Sequence, residues 1–274
     1  MTSLSRHAVG LLLTATLTAS SALVVYAQPS VDTTFGANLT KVPEGDARGI
    51  FPQPDGKVFV TGAFKVAGGL ARDSVVKLNS DGSVDPSFMG PDFRANEPFN
   101  PARIMDLAIQ STGKILVGGE FYEVDGQPKY RLVRLNANGS LDTSFAPQPL
   151  TWVVTKILVL SDDKIVIGGG FRYSDPSGPR NQLVRLNADG TLDTPFRFSP
   201  EPPNVVSGLV LQSDGKLVVA TGNNVIRYAT TGASDATFGP IACDNSVNTV
   251  KQQADGRLVI GGIFTNVNGF GLPR

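Results

Sequence analysis

The sequence has almost none of the side chains on which common catalytic and metal sites depend. It contains one histidine and one cysteine, and its 24 basic side chains balance 24 acidic ones. The histidine, His7, lies in an N-terminal segment that we expect to be removed, which leaves no imidazole for Ser-His-Asp or Cys-His catalysis or for His-ligated zinc. Cys243 has no second cysteine for an internal disulfide and no histidine to activate its thiol. We therefore predict that Cys243 is buried and unreactive.

The N-terminal segment has the pattern of a secretory signal peptide. Arg6 precedes an apolar stretch over residues 8–25, and Val25 and Ala27 suit cleavage by signal peptidase before Gln28. An uncleaved membrane anchor is the lesser alternative, because the stretch is at the short limit for crossing a bilayer. No cysteine follows it at the position where lipid modification would need one. We expect residues 1–27 to be removed and the product to be secreted or held at the cell surface.

The charge distribution excludes some partners. Removal of residues 1–27 takes away Arg6 and leaves 23 basic against 24 acidic side chains, with no block of either sign. Nucleic acids and anionic membrane surfaces attract proteins through basic patches, so neither is an expected partner. No later stretch is apolar enough to cross a bilayer, and we expect no membrane insertion after cleavage.

Helical periodicity is also missing, and a repeat takes its place. Each copy has a tight turn, usually Asp-Gly, closed by a basic residue, and the basic residues lie 57, 50, 52 and 41 positions apart. An aliphatic strand, A, precedes each turn, and a strand B with three consecutive apolar residues follows it. Unbroken apolarity predicts that strand B is buried on both faces. The basic residues are Lys57, Lys114, Lys164, Lys216 and Arg257.

The second half of each copy predicts another hairpin. Strand C, as in Leu132-Val133-Arg134-Leu135, is followed by an Asn-x-Asp/Asn-Gly turn and a short strand D that carries a recurring Asp and Phe. Four short antiparallel strands with a doubly buried strand B describe a propeller blade, and a solenoid is the lesser alternative. We therefore predict an all-β propeller domain over residues 28–274 with about five blades, four of them complete. The blades span roughly residues 46–88, 103–145, 153–196, 205–238 and 246–274.

Two copies depart from the pattern. The fourth has Ala220-Thr221-Gly222-Asn223 in place of Gly-Gly-x-Phe and almost no connection between strands B and C, so we expect the smallest and most irregular blade there. The fifth copy is partial, whereas residues 30–35 (SVDTTF) resemble a lone outer strand D without strands A to C. These features fit a propeller that is part of a longer protein.

The repeat resembles the bacterial delta-60 repeat. The resemblance rests on DGK, an apolar triplet, GG-x-F and then LVRLN-x-DG-S-L-D-x-S-F, and it is most specific in the copies that end at Phe145 and Phe196. It covers nearly all of the chain after residue 27. Membership of that family implies propeller blades in an exported protein and supplies no catalytic residue to transfer.

The recurring polar residues and glycines favour structural roles. We expect the strand D aspartate to bond turn amides rather than calcium, since one carboxylate per blade places neighbouring carboxylates far apart. The paired glycines precede no helix, which favours a bulge or close backbone packing over a phosphate loop. We predict no catalytic residue, no metal and no cofactor. A carbohydrate-active enzyme is the least favoured alternative, since no pair stands out among the loop carboxylates Glu97, Glu120, Glu123, Asp125 and Glu201.

A binding side follows from the lengths of the connections. In a four-stranded blade the A–B and C–D turns lie on one side, here short and repetitive, and the B–C and D–A connections lie on the other, here long and varied. Varied loops on a rigid scaffold commonly carry recognition, so we expect a non-catalytic scaffold that binds an unknown protein or glycan there. A structural spacer within a larger surface protein is the alternative. The candidate binding residues are Arg72, Phe93, Arg94, Tyr122, Arg131, Trp152, Tyr173 and Arg180.

Overall fold

The computed structural model describes residues 11–12, 46–64, 66–67, 70–95, 102–239 and 241–271. Every regular element in these residues is a strand, and all strand pairs are antiparallel. Most of the predicted signal peptide and the whole of the predicted lone strand at residues 30–35 lie outside the described residues. No described helix is long and apolar enough to span a membrane.

The strands are short and follow one another closely along the chain. They are β1 (Leu11–Leu12), β2 (Asp46–Pro52), β3 (Val58–Ala63), β4 (Val66–Ala67), β5 (Leu70–Ala71), β6 (Val75–Leu78), β7 (Phe93–Arg94), β8 (Arg103–Ile109), β9 (Ile115–Glu120), β10 (Glu123–Val124), β11 (Gln127–Pro128), β12 (Leu132–Leu135), β13 (Val154–Val159), β14 (Ile165–Tyr173), β15 (Arg180–Leu186), β16 (Val206–Leu211), β17 (Leu217–Thr221), β18 (Asn224–Tyr228), β19 (Ile241–Ala242), β20 (Val247–Gln252), β21 (Leu258–Gly262), β22 (Asn266–Val267) and β23 (Phe270–Gly271).

The chain divides into two compact units, Ser30–Pro195 and a second unit made of Met1–Pro29 with Phe196–Arg274. The first unit contains blades 1 to 3, with strand orders β2-β3-β6, β8-β9-β12 and β13-β14-β15. In each blade these strands are A, B and C of the predicted repeat. Strand B is buried along nearly its whole length, as its unbroken apolar run predicts.

Hydrophobic clusters join neighbouring blades within this unit. One cluster contains Phe59 and Val75 of blade 1 together with Ile104 and Val117 of blade 2. A second joins blade 2 to blade 3 and includes Leu116 and Val154. Blade 2 therefore packs one face against blade 1 and the other against blade 3, which is the stacking expected of propeller blades.

Strand A carries a register shift at the same place in every blade. In blade 2 the shift falls between Ile104 and Asp106, opposite Gly118 and Gly119 of strand B. Blades 1 and 3 repeat it in the first unit, and blades 4 and 5 repeat it in the second. The bulge and close packing that the paired glycines predict are therefore both present, and the bulge lies on strand A.

Strand D is the part of the blade that the sequence does not predict correctly. It is reduced to a single bridge to strand C, such as Leu78 with Val84 in blade 1 and Leu135 with Leu141 in blade 2. The chain then turns, because the carboxylate of Asp142 accepts hydrogen bonds from the backbone N–H and the hydroxyl of Ser144 at 3.0 and 2.6 Å. Side chain to backbone bonding of this kind competes with continued strand pairing.

The second unit contains blades 4 and 5. Blade 4 has the order β16-β17-β18-β19, a four-stranded sheet that differs from the three-stranded sheets of blades 1 to 3. Its short turn at Gly222 and Asn223 leaves the outer edge of β18 open to the connection that follows, and β19 pairs there. In blade 5, β21 pairs with β20 on one edge and with β1 on the other.

Candidate functional site

The short-turn side of the blades is occupied by a repeated ion-pair set. In blade 2, Oδ2 of Asp142 lies 2.6 Å from Nζ of Lys114 and 2.8 Å from Nε of Arg134. Burial alone would raise the pKa of the Asp142 carboxyl, but hydrogen bonds from Lys114, Ser144 and Arg134 outweigh it and hold that pKa below its usual range. Asp193 and Asp235 have equivalent Lys and Arg partners, and Asp85 pairs with Lys57. The recurring aspartates are thus fully engaged in structure.

The turns on that side also hold neighbouring blades together. Met89 of blade 1 donates its N–H to the carbonyl of Asn138 in the C–D turn of blade 2 at 2.9 Å. A Cβ on Gly139 in the same turn would lie 2.4 Å from the Met89 carbonyl oxygen. In the next pair of blades, Ala146 bonds the carbonyl of Asp189 at 3.2 Å. These turns are internal contacts between blades.

On the long-loop side, a small hairpin of blade 2 contacts the connection that comes from blade 1. In blade 2 the hairpin of β10 and β11 pairs with β7, which belongs to the D–A connection from blade 1. Asp125, at the hairpin turn, donates its N–H to the carbonyl of Asp92 and accepts the Asp92 N–H on its carboxylate, at 3.0 and 2.9 Å. The hairpin of blade 2 therefore holds β7 and Asp92 of the connection in place.

A residue with a left-handed backbone conformation directly precedes strand C in blades 1 and 2 and lies near the start of strand C in blade 3. Ser74, Arg131 and Gln182 have φ values of 57°, 69° and 59°. Ser74 and Arg131 each donate the backbone N–H to the carbonyl of the phenylalanine that directly follows strand B, Phe64 and Phe121. None of the three is glycine, so the sequence carried no signal for this turn.

Five of the eight candidate binding residues are buried. Phe93 packs edge-on against Phe121, with ring centroids 5.2 Å apart, and Tyr173 lies in the core between blades 2 and 3, where burial raises the pKa of its hydroxyl. Arg180 pairs with Asp175 at 2.6 Å and donates to the carbonyl of Thr194 at 2.9 Å. These three side chains stabilise the loops from beneath, and Arg72 and Arg131 are also buried.

The other three candidates contribute to the surface. Trp152 is 63% exposed, and Arg94 is exposed and paired with Asp92 at 2.9 Å. Tyr122 is half-buried, with the Arg131 guanidinium over its ring at 4.2 Å and an edge contact to Tyr130 at 6.0 Å.

Tyr130 was not among the candidates, although 39% of its surface is exposed. It lies shortly before strand C, in the B–C connection of blade 2, which varies from one repeat to the next. An aromatic residue in such a varied loop was the sequence signal that could have identified it.

A groove of about 230 Å³ lies beside Tyr130. Pro128, Lys129 and Tyr130 contribute to its lining, as do Pro147, Gln148 and Pro149 of the connection that leads to Trp152. Residues of strand C and the Asp142 ion pair also line it. The groove is thus a mixed apolar and polar depression whose prolines and aromatic ring lose little conformational freedom on binding.

The loop carboxylates that could support glycoside hydrolysis already have partners. Glu123 lies 3.5 Å from Arg94, Asp125 bonds Asp92, and Glu201 pairs with Arg197 at 2.7 Å. Glu120 lies 3.9 Å from Arg103, and Glu97 falls outside the described residues. Within the described residues, no group of three or more His, Cys, Asp or Glu side chains is placed to hold a metal ion.

Comparison with known sequences gives the class of the protein. Residues 53–88, 110–145, 160–196 and 253–274 match the family described as "Domain of unknown function (DUF5122) beta-propeller". In blades 1 to 3 these stretches run from the turn before strand B to the end of the blade. In blade 5 the matched stretch begins directly after strand A. The chain is a β-propeller repeat protein. No curated protein matches the sequence.

Three solved structures to which the chain is similar are PorZ, the BT4673 extracellular domain and XC5397. PorZ of Porphyromonas gingivalis, an essential surface component of the type-IX secretion system, matches with a TM-score of 0.52 and 10% identity over 85% of this chain and 34% of that one. The extracellular domain of BT4673 from B. thetaiotaomicron matches with a TM-score of 0.43 and 16% identity over 88% of this chain. XC5397 of Xanthomonas campestris, a gluconolactonase, gives 0.35 and 16% over 84% of this chain and 90% of that one.

The similarity to PorZ, at 10% identity, concerns the fold alone. This chain spans 28% of the length of the BT4673 extracellular domain.

Proposed function

We propose that this protein is an exported, non-catalytic propeller scaffold of the delta-60 repeat type that binds a protein or a glycan through its long-loop side. Export follows from the signal-peptide pattern over residues 1–27 and places the product outside the cell or on its surface. The binding residues that we propose are Tyr130 and Trp152, with Tyr122, Arg94 and the groove beside Tyr130 around them.

The exposure of two large aromatic side chains on anchored loops carries this proposal. Tyr130 and Trp152 are 39% and 63% exposed. Tyr130 lines the groove together with Pro147 and Pro149, which stiffen the connection that leads along the chain to Trp152. Tyrosine and tryptophan dominate binding hot spots because they bury a large area and give up few rotatable bonds.

The support beneath these residues favours binding without rearrangement. The Arg131 guanidinium lies over the Tyr122 ring, and the Tyr122 ring contacts Tyr130. Thr151, next to Trp152, accepts the N–H of Arg172 on its hydroxyl at 2.9 Å. A pre-ordered surface loses less entropy when a ligand binds, which supports recognition by these aromatic side chains.

Binding to immobilised polysaccharides and to arrayed surface proteins tests the proposal. We expect Tyr130→Ala and Trp152→Ala to weaken any interaction found by about tenfold or more. Ser161→Ala, at an exposed turn on the opposite side of blade 3, is the control and should bind normally. Loss of binding in the control with normal binding by the aromatic variants would place the binding side on the short turns.

The same panel separates the two alternatives. A structural spacer would bind nothing on either array. A carbohydrate-active enzyme would release sugar from a polysaccharide, and Glu120→Gln or Glu123→Gln would abolish the release. Our proposal requires saturable binding without turnover.

A further inference from the structure

Arg131 is a buried cation without an anionic partner. It is 5% exposed, and its Nε atom has no hydrogen-bond partner. Its guanidinium lies over the ring of Tyr122 and donates a hydrogen bond to the hydroxyl of that residue. Among the described residues no carboxylate pairs with Arg131, whereas the buried Arg134 and Arg180 lie 2.8 and 2.6 Å from an aspartate. Since a buried charge without a counter-charge costs free energy, the stability of the fold does not account for Arg131.

The repeat shows that the turn before strand C does not need a cation. Ser74 in blade 1 and Gln182 in blade 3 hold the position of Arg131 and share its left-handed backbone conformation. A neutral side chain is therefore sufficient for the turn. Among blades 1 to 3 the arginine is particular to blade 2, which carries the groove beside Tyr130.

The repeat also relates Arg131 to Trp152 of the next blade. The hydroxyl of Ser74 donates a hydrogen bond to the carbonyl of Ala102, at the start of blade 2, at 3.3 Å. Trp152 is the counterpart of Ala102 in blade 3, two positions before the residue that pairs with the second glycine of strand B. We therefore expect the segment that carries Trp152 to lie beside Arg131.

Two further cations near these aromatic residues form no ion pair within the described part of the chain. Lys129 lines the groove together with Tyr130. Arg172 is exposed, and its backbone N–H bonds the hydroxyl of Thr151, next to Trp152, at 2.9 Å. The exposed aromatic rings are thus accompanied by positive charges that can attract an anion.

We propose that the long-loop side of blades 2 and 3 binds an acidic polysaccharide whose uronic acid residues pair with Arg131. The ring of a uronic acid packs on Tyr130, and the carboxylate of the same sugar accepts hydrogen bonds from the guanidinium of Arg131. Thr143 and Gln148, which also line the groove, bond the sugar hydroxyls. This ligand class rests on the proposed function, since it belongs to the same binding side.

A uronic acid fits this surface better than an acidic peptide does. Tyr122 contacts both the guanidinium of Arg131, at 4.2 Å from its ring, and the ring of Tyr130, at 6.0 Å. A ligand that meets the guanidinium and the Tyr130 ring together needs a carboxylate and an apolar ring face close to each other, and a uronic acid carries both in one residue. An aspartate or a glutamate supplies the carboxylate without the ring. The neutral polar side chains of the groove also suit hydroxyl groups.

Isothermal titration of the full chain with a galacturonate oligosaccharide tests the proposal. The same oligosaccharide with methyl-esterified carboxylates is the matched control ligand, and we expect it to bind at least about tenfold more weakly. The affinity for the acidic form should also fall as the NaCl concentration rises, because salt screens the charge pair.

Arg131→Gln is the variant that tests the site, because Gln182 shows that glutamine fits this turn. It should bind the acidic oligosaccharide about tenfold more weakly. Its urea midpoint should be unchanged or higher, since the substitution removes a buried charge without a partner. Arg257→Gln removes an exposed cation in the A–B turn of blade 5 and is the control, which should bind normally. A urea midpoint of Arg131→Gln lowered as far as that of Arg180→Gln would make Arg131 a structural residue and overturn the proposal.

The remaining outcomes separate this ligand class from the binding side itself. Equal binding of the acidic and esterified oligosaccharides would overturn the ligand class, and the long-loop side would stand if Tyr130→Ala weakened both. Equal binding of poly-glutamate, which has carboxylates without sugar rings, would assign the site to an acidic polypeptide and overturn the proposal as well. Absence of binding of the acidic oligosaccharide would also overturn it, and the polysaccharide and protein arrays would then decide separately whether this side binds any ligand.

Discussion

Gly119 faces the carbonyl oxygen of Arg103 so closely that a Cβ on Gly119 would lie 2.1 Å from that oxygen. Gly169 and Gly262 have the same relationship to the carbonyl oxygens of Val153 and Ser246, also at 2.1 Å. The second glycine of each pair therefore admits the bulge of strand A. The first glycine has a different role, because a Cβ on Gly118 would meet the side chain of Val154 in the next blade at 2.7 Å.

Replacement of Gly119 by alanine should lower the free energy of unfolding by about 3 kcal/mol, since the clash is with backbone that cannot move without breaking strand pairing. Urea denaturation followed by circular dichroism measures the change. Gly239→Ala is the control, because a Cβ there meets nothing within 4 Å, and it should be nearly neutral. Equal stability of the two variants would contradict this account of the bulge.

Strands A, B and C could be predicted because apolar runs and Asp-Gly turns specify them locally. Strand D could not, because its Asp-x-Ser sequence fits both a strand and a turn, and the bonds between Asp142 and Ser144 that decide for the turn exist only after folding. The candidate site was predicted less well. Arg180 looks like a loop residue in the sequence, but the structure buries it against Asp175.

Asp142→Asn should destabilise the protein by about 3 kcal/mol, because it leaves the buried guanidinium of Arg134 without its charged partner. The amide can still accept the hydrogen bonds from Ser144, so the turn itself is kept. Asp255→Asn is the matched control, since its pair with Arg257 is exposed, and its effect should be below about 0.5 kcal/mol. Comparable losses in both variants would rule out a special role for the ion-pair set.

The same aspartates should make stability depend on pH on the acid side. The pKa of Asp85 is lowered by hydrogen bonds from Lys57 and Ser87, and the pKa of Asp142 is lowered as well. A carboxyl whose pKa is lower in the folded state stabilises the fold fully above its unfolded value, about 3.9, and this contribution is lost as pH falls toward the folded value. The urea concentration at the unfolding midpoint should therefore decrease as pH drops below about 4. In Asp142→Asn this decrease should be less steep.

The Arg180→Gln substitution should lower the free energy of unfolding by about 3 kcal/mol, because the side chain of Asp175 would remain buried without its charged partner. Arg94→Gln serves as the control, since its exposed ion pairs contribute little. Thermal denaturation of both variants distinguishes loop arginines that support the fold from those that are free to contact a ligand. A neutral Arg180→Gln would return that residue to the candidate binding surface.

Cys243 should react slowly with thiol reagents in the native protein. Its side chain is buried, and burial, with the nearby Asp244, raises the pKa of the thiol, so little thiolate is present at neutral pH. Labelling by a disulfide reagent should become fast only in denaturant. Rapid labelling of the folded protein would show that the connection around Cys243 opens.

Trp152 is the only tryptophan of the chain, so its fluorescence reports on the long-loop side alone. The most direct test of that side as the binding surface is quenching of this fluorescence by acrylamide, with and without a saturating ligand from the polysaccharide or protein arrays. We predict strong quenching of the free protein, reduced quenching in the complex, and loss of that protection when Tyr130→Ala weakens binding. Quenching that stays unchanged at saturation would contradict the proposal, because the ligand would then lie away from Trp152.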